Sequence, residues 1–93
     1  MKKILIVEDD NLLNRTLGYN LASDGYDITS AYKYQEAVQH LKETEFDVAL
    51  LDINLPDGSG LDLCEEIRGR GQHTYIIFIT ANQKTFTACL FTN

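Results

Sequence analysis

The chain has 93 residues, of which 44% are hydrophobic, and this length suits a single small globular domain over residues 1–93. Its 14 acidic and 8 basic residues give a net charge of −6, and the basic residues are scattered along the chain. Proteins that bind DNA or a membrane surface need clustered lysine and arginine, so the composition argues against direct contact with nucleic acid and against membrane binding.

Targeting signals and zinc sites are also disfavoured. The apolar stretch after the two N-terminal lysines has only four residues, too few for a signal peptide, and no other segment is long enough to span a bilayer. Cys64 and Cys89 lack metal-ligand spacing, and neither His40 nor His73 flanks them, which argues against a zinc site. We therefore expect a cytoplasmic protein.

Short apolar runs alternate with helical patterns along the chain. The apolar runs predict three strands, over residues 4–7, 46–51 and 75–79, and a further strand, over residues 26–31, is predicted directly after the first helix. Apolar residues at helical spacing predict three helices between them, over residues 11–24, 34–44 and 61–69. The segment from Gln83 to Leu90 predicts the start of a fourth helix, because Phe86, Cys89 and Leu90 fall on one face.

This order of elements predicts an α/β fold. Strands that alternate with helices, and that are apolar along their whole length, are typical of a parallel sheet covered by helices on both faces and joined by right-handed crossovers. Ligands of such a doubly wound sheet bind outside the carboxyl ends of its strands. We therefore expect the functional residues where strands end.

Acidic residues directly follow two of the predicted strands. Glu8, Asp9 and Asp10 come after the first strand, and Asp52 closes the third. A lone aspartate at a strand end is more often a turn former or a helix cap, and we assign the role of helix cap to Asp10. The other three acids lie at the predicted crevice, where carboxylates favour a metal or catalytic role.

With these acids in this order, the chain resembles the receiver domains of bacterial two-component response regulators, from Lys2 to about Lys84. Two further features carry the resemblance: the turn over residues 55–60, with the sequence LPDGSG, and Thr80 followed by Ala81 after the fourth strand. The resemblance implies a flavodoxin-like receiver fold, with the predicted strands in the order 2-1-3-4.

The resemblance also implies a signalling module and not an enzyme. A sensor histidine kinase would transfer a phosphoryl group from its phosphohistidine onto the carboxylate of Asp52, which would become an aspartyl phosphate. The implied cofactor is Mg²⁺, with Asp9 and Asp52 as direct ligands and Glu8 acting through water. Asn54 would add its backbone carbonyl to the metal site.

Two residues after the fourth strand have roles implied by the same family motif. The hydroxyl of Thr80 would hydrogen-bond the phosphoryl group and take part in the conformational switch, and Ala81 would be the small neighbour that leaves room for that group. Thr80 also has a simpler interpretation, as a β-branched residue that favours a strand.

Residues 85–93 depart from the family pattern. The family continues with a helix, a fifth strand that ends in Lys then Pro, and a last helix, whereas this segment is an uncharged, atypical tail. We therefore expect a receiver fold without the fifth strand and the last helix, from a truncated or frameshifted gene product or from a fragment. The strand over residues 75–79 would then be an edge, and we expect self-association through it.

The turn and the acidic triplet are most similar to those of regulators with a C-terminal winged-helix DNA-binding domain, so a transcriptional regulator is the expected parent. Two alternatives stay open. A fragment that docks on a sensor kinase without being phosphorylated is favoured by the missing fifth-strand lysine. A phosphatase of the haloacid dehalogenase type is suggested by Asp52, Ile53 and Asn54, although Asn54 cannot serve as the general acid of that family.

Overall fold

Strands and helices alternate along the first 80 residues. The computed structural model describes residues 1–80 and 85–89, and the side chains of residues 1–79. The elements in chain order are β1 (Lys3–Val7), α1 (Asn11–Ser23), β2 (Asp27–Ala31), α2 (Tyr34–Glu43), β3 (Val48–Asp52), β4 (Asn54–Leu55), β5 (Gly58–Ser59), α3 (Gly60–Gly69), β6 (Tyr75–Thr80) and β7 (Thr85–Cys89). Within these ranges, no helix has the length and apolar character needed to cross a membrane.

The main sheet has the order β2-β1-β3-β6-β7, and β4 and β5 form a separate antiparallel hairpin. The pairs β1–β2, β1–β3 and β3–β6 are all parallel. Because β6 is the fourth strand predicted from the sequence, the structure confirms the doubly wound fold and its 2-1-3-4 order. The register places Val7 beside both Ala31 and Leu51, so the carboxyl ends of the first three strands meet at one edge.

Helices cover both faces of the sheet, and each face has its own core. Alternate residues of β1 divide between the faces: Leu5 and Val7 belong to a cluster with residues of α2 and α3, whereas Ile4 and Ile6 belong to a cluster that packs against α1. This division follows from the two-residue period of a strand. It explains why β1, β3 and β6 are apolar along most of their length, as strands covered on both faces require, whereas β2, at the edge of the sheet, also carries Asp27, Thr29 and Ser30.

The prediction of a fourth helix over Gln83–Leu90 was wrong. Residues 85–89 of that segment form β7, which pairs antiparallel with β6, and the remaining residues of the prediction lie outside the described part of the chain. Thr85, Phe86 and Thr87 are β-branched or aromatic and favour a strand, and pairing with β6 satisfies backbone groups that an edge would leave unpaired. The prediction that the strand over residues 75–79 is an edge was therefore also wrong.

The ends of α1 follow the signals in the sequence. The side chain of Asp10 accepts a hydrogen bond from the N–H of Leu13 at 3.1 Å, which confirms its assignment as a helix cap. Gly25, just beyond the helix, has a φ of 95°, a conformation that glycine adopts without steric cost. These two residues fix where α1 begins and ends.

The turn from β3 into α3 brings two backbones unusually close at Gly60. The N–H of Gly60 donates to the carbonyl of Ile53 at 2.8 Å. A Cβ atom at this position would collide with the carbonyl oxygen of Asp52, a backbone atom that cannot move aside without shifting β3. Only glycine therefore allows α3 to begin directly against the end of this strand.

We expect Gly60→Ala to lower the free energy of unfolding by about 1–3 kcal/mol, the usual cost of forcing an extra methyl group into packed surroundings. A urea melt of each variant measures this change. Gly69→Ala is the matched control, because Gly69 lies in the same helix and a Cβ there meets nothing within 4 Å. Equal effects of the two substitutions would contradict the backbone clash.

Candidate functional site

The carboxyl ends of β1 and β3 bring three acidic residues together. Glu8 and Asp9 follow β1, Asp52 ends β3, and the two strands are in register up to Val7 and Leu51. One carboxylate oxygen from each acid lies within 4.8 Å of the other two. The structure thus brings together the three carboxylates that the sequence placed at strand ends.

Two of these carboxylates are buried. Glu8 is 1% exposed and Asp52 is 2% exposed, whereas Asp9 is exposed to solvent. Backbone N–H groups hold each buried carboxylate: Asp10 donates to Oε2 of Glu8 at 3.1 Å, and Asn54 donates to Oδ1 of Asp52 at 3.2 Å. The other oxygen of Glu8, Oε1, is buried and receives no hydrogen bond from any described atom.

Burial changes the protonation of this pair. The pKa of Glu8 is raised to about 8, mainly because burial removes water from its carboxylate; the Asp10 N–H opposes this rise, and the neighbouring Asp52 carboxylate adds to it. Burial also raises the pKa of Asp52, although its hydrogen bonds with Glu8 and with the Asn54 N–H act in the opposite direction. The pair therefore favours a state at neutral pH in which Glu8 keeps its proton.

The donor set fits a hard divalent cation. Three carboxylates supply oxygen atoms, which are the ligands that Mg²⁺ prefers. The buried Oε1 of Glu8 needs a partner, and two buried acids facing each other need a positive charge to be ionised together. A cation at this point, or a water bound to it, would meet both needs.

Thr80 lies at the same edge of the sheet as Asp52. It is the last residue of β6, and the preceding residue, Ile79, pairs with Asp52 across the neighbouring strand. Thr80 therefore lies one residue further along the sheet than the position level with Asp52. Ala81, the other residue assigned from the sequence to this side of the site, lies outside the described residues.

Asn14 supports the site and was not singled out in the sequence. Its side chain is fully buried, and Nδ2 donates to the carbonyls of Glu8 at 2.9 Å and of Ala31 at 3.0 Å. These bonds tie the ends of β1 and β2 to α1. The sequence does contain a sign of this role: Asn14 is a polar residue on the apolar face of α1, which also carries Leu17 and Leu21.

Comparison with known proteins agrees with this arrangement. The sequence profile described as "Response regulator receiver domain" matches residues 4–91. The non-phosphorylated HemR receiver domain from Leptospira biflexa is 38% identical, with a TM-score of 0.81 over 87% of this chain and 65% of that one. The chain thus spans just under two thirds of the length of the HemR structure.

A second protein was solved in two relevant states. The response regulator TrrA from Thermotoga maritima in complex with Mg(2+)-BeF is 36% identical, with a TM-score of 0.81 over 87% of this chain and 70% of that one. TrrA in complex with the histidine kinase ThkA has the same identity and the same coverage, with a TM-score of 0.79. The match of the family profile to most of the chain, together with these likenesses, shows that the chain belongs to the response regulator receiver domain family.

Proposed function

We propose that this chain is a phospho-accepting receiver domain of a two-component phosphorelay, with Asp52 as the residue that takes the phosphoryl group from a sensor histidine kinase. The observation that carries the proposal is the group of Glu8, Asp9 and Asp52, whose oxygens lie within 4.8 Å of one another at the ends of two parallel strands. Membership of the receiver family supports the same assignment.

The reaction needs a carboxylate nucleophile. An oxygen of Asp52 forms a bond to phosphorus, the bond between phosphorus and the imidazole nitrogen of the phosphohistidine breaks, and that nitrogen keeps the electron pair. The N–H of Asn54 binds Oδ1 of Asp52 and so limits rotation of the carboxylate. Fixing the nucleophile before the reaction lowers the entropic part of the barrier.

Four residues would hold Mg²⁺: Asp9 and Asp52 directly, Glu8 through water, and Asn54 through its backbone carbonyl. The cation would offset the repulsion between the Asp52 carboxylate and the incoming phosphoryl group. The buried, unpartnered Oε1 of Glu8 supports a role for this side chain toward a bound water. Glu8 would give up its proton to such a cation's positive charge, because its raised pKa arises from burial beside another acid without a counter-charge.

Thr80 and Ala81 complete the proposed phosphoryl site. The hydroxyl of Thr80 would bind the phosphoryl oxygens and take part in the switch, and the small side chain of Ala81 would leave room for the group. The position of Thr80 at the end of β6, one residue beyond the partner of Asp52, supports its part of this assignment.

The partner and setting are also part of the proposal. A sensor histidine kinase is the partner class, as in the complex of TrrA with ThkA. We place the domain in the cytoplasm as a signalling module and its parent among transcriptional regulators, on the similarity of the acidic triplet and of the turn over residues 55–60 to such proteins.

Incubation with acetyl phosphate and Mg²⁺ tests the assignment of Asp52. We expect the intact mass to increase by one phosphoryl group, and we expect Asp52→Asn to abolish the increase because an amide is not a comparable nucleophile. Asp10→Asn is the control: Asp10 belongs to the same acidic run, but its side chain caps α1, and asparagine caps a helix equally well.

An increase in mass in Asp10→Asn but not in Asp52→Asn supports the proposal. A folded wild-type chain that gains no phosphoryl group would instead favour the non-phosphorylated docking fragment.

The protonation of Glu8 predicts how stability depends on pH. The pKa of Glu8 rises on folding from 4.5 to about 8, so between these values the folded state binds more protons than the unfolded state. Without Mg²⁺, the free energy of unfolding should therefore fall as the pH is raised through this window. Mg²⁺ should raise Tm more near pH 8 than near pH 5, because protons compete with it at the lower pH.

Urea melts at several pH values with EDTA measure the first effect, and thermal melts with EDTA or with Mg²⁺ measure the second. Glu8→Gln should flatten the Mg²⁺-free slope across the window, because glutamine does not titrate. Glu45→Gln removes an exposed carboxylate and should keep the wild-type slope. A wild-type slope that persists in Glu8→Gln would show that another group causes it.

A further inference from the structure

The hairpin that follows Asp52 is tied to a distant helix through Asp57. Oδ1 of Asp57 accepts a hydrogen bond from the N–H of Tyr34 at 2.6 Å, and Oδ2 accepts one from the N–H of Gln35 at 3.1 Å. These are the first two N–H groups of α2, and α2 begins more than 20 residues before Asp57 in the sequence. The carboxylate therefore caps α2 from another part of the chain.

No local side chain takes this role. The residue at the N-cap position of α2 is Lys33, whose backbone has the extended conformation of an N-cap but whose side chain makes no capping hydrogen bond among the described residues. Partial loss of water acts to raise the pKa of Asp57, but the N–H groups of Tyr34 and Gln35 and the charge of Lys33 hold it below its ordinary value. Asp57 is thus an ionised cap at neutral pH.

A second contact fixes the hairpin against the same helix. A Cβ atom at Gly58 would lie 2.8 Å from two carbon atoms of the Tyr34 ring, so the ring rests directly on the backbone of this glycine. On the other side, Leu55 is buried in the core cluster that also contains residues of α2 and α3. The hairpin is therefore held between the N-terminus of α2 and the core.

The hairpin in turn holds the nucleophile. Asn54, its first residue, donates its N–H to Oδ1 of Asp52, and Gly60, just after its second strand, donates to the carbonyl of Ile53. A continuous set of contacts therefore runs from the first turn of α2 through Asp57 to Asn54 and the Asp52 carboxylate. Movement of the hairpin would move both the N–H group and the carbonyl of Asn54.

We propose that Asp57 is a positioning residue for the phosphoacceptor site: by fastening the hairpin to α2, it holds Asn54 where it orients Asp52 and completes the metal site. This inference rests on the proposed function. It assigns a role to a carboxylate that binds the N–H groups of Tyr34 and Gln35 and is not one of the residues proposed to hold Mg²⁺.

The test must distinguish a role of Asp57 in positioning the hairpin from a role as a helix cap only. A substitution at Lys33, the N-cap residue of α2, makes this distinction possible. Asp57→Ala removes both the cap and the connection to the hairpin, and Asp57→Asn keeps an oxygen that can accept one N–H. The double substitution Lys33→Ser with Asp57→Ala gives α2 a cap of its own, because serine at an N-cap binds the N–H groups of the first turn. In this double variant the hairpin still lacks its side-chain connection to α2. Lys33→Ser alone is the control.

The phosphorylation rate with acetyl phosphate is measured as a function of Mg²⁺ concentration, which gives an apparent Mg²⁺ constant and a maximal rate. Urea melts of the same variants give the stability. We expect Asp57→Ala to weaken the apparent Mg²⁺ affinity by about tenfold, the lower end of the range for residues that orient metal ligands. Asp57→Asn should recover part of the loss. The double variant should regain stability but not Mg²⁺ affinity.

Recovery of both stability and Mg²⁺ affinity in the double variant would overturn the inference, since Asp57 would then be a helix cap only. An unchanged Mg²⁺ constant in Asp57→Ala would overturn it as well.

The Mg²⁺-dependent rise in Tm gives the same comparison without phosphorylation. If the wild-type chain binds Mg²⁺ but gains no phosphoryl group, the proposed function is contradicted. The effect of Asp57→Ala on the Mg²⁺-dependent rise in Tm then still decides the role of Asp57. A wild-type chain that does not respond to Mg²⁺ would overturn both.

Discussion

Two carboxylates buried side by side, Glu8 and Asp52, are the constraint on which the site depends. Burial opposes their ionisation, and their proximity opposes it further, so the folded chain holds a proton there that the unfolded chain would release at neutral pH. The neighbouring groups limit this cost. Backbone N–H groups bind one oxygen of each acid, and the amide of Asn14 fixes the backbone of Glu8. The arrangement lowers the stability of the folded chain, and a positive charge bound beside the two acids would restore part of that stability.

Short-range patterns were enough to predict the main layers of the fold. Apolar runs marked β1, β3 and β6 because both faces of the sheet are covered at these strands, and the position of Asp52 at a strand end placed it at the crevice. The spacing of apolar residues gave a wrong prediction at β7. Phe86, Cys89 and Leu90 have helical spacing, but the open side of β6 offers hydrogen bonds to a strand, and a pattern of side chains does not contain that information.

The supporting residues could not be predicted for a related reason. Asn14 and Asp57 both act on backbone groups far away in the sequence, Asn14 on the end of β2 and Asp57 on the start of α2. Their partners are backbone N–H and carbonyl groups, which every residue except proline carries, so no partner side chain marks the contact. A sequence can thus predict the clustered acids of the candidate site more readily than the residues that hold their backbone in place.

The direction of β7 decides which of its residues lie near the site. Because it runs opposite to β6, Thr85 pairs with Thr80 at the edge that carries Asp52, whereas Cys89 pairs with Ile76 toward the other edge. In a parallel fifth strand the last residue would reach the acidic edge, and in this sheet the first residue does. Any group that β7 contributes near the proposed phosphoryl site must therefore come from the beginning of the strand, whereas the strands of a doubly wound sheet usually contribute such groups from their ends.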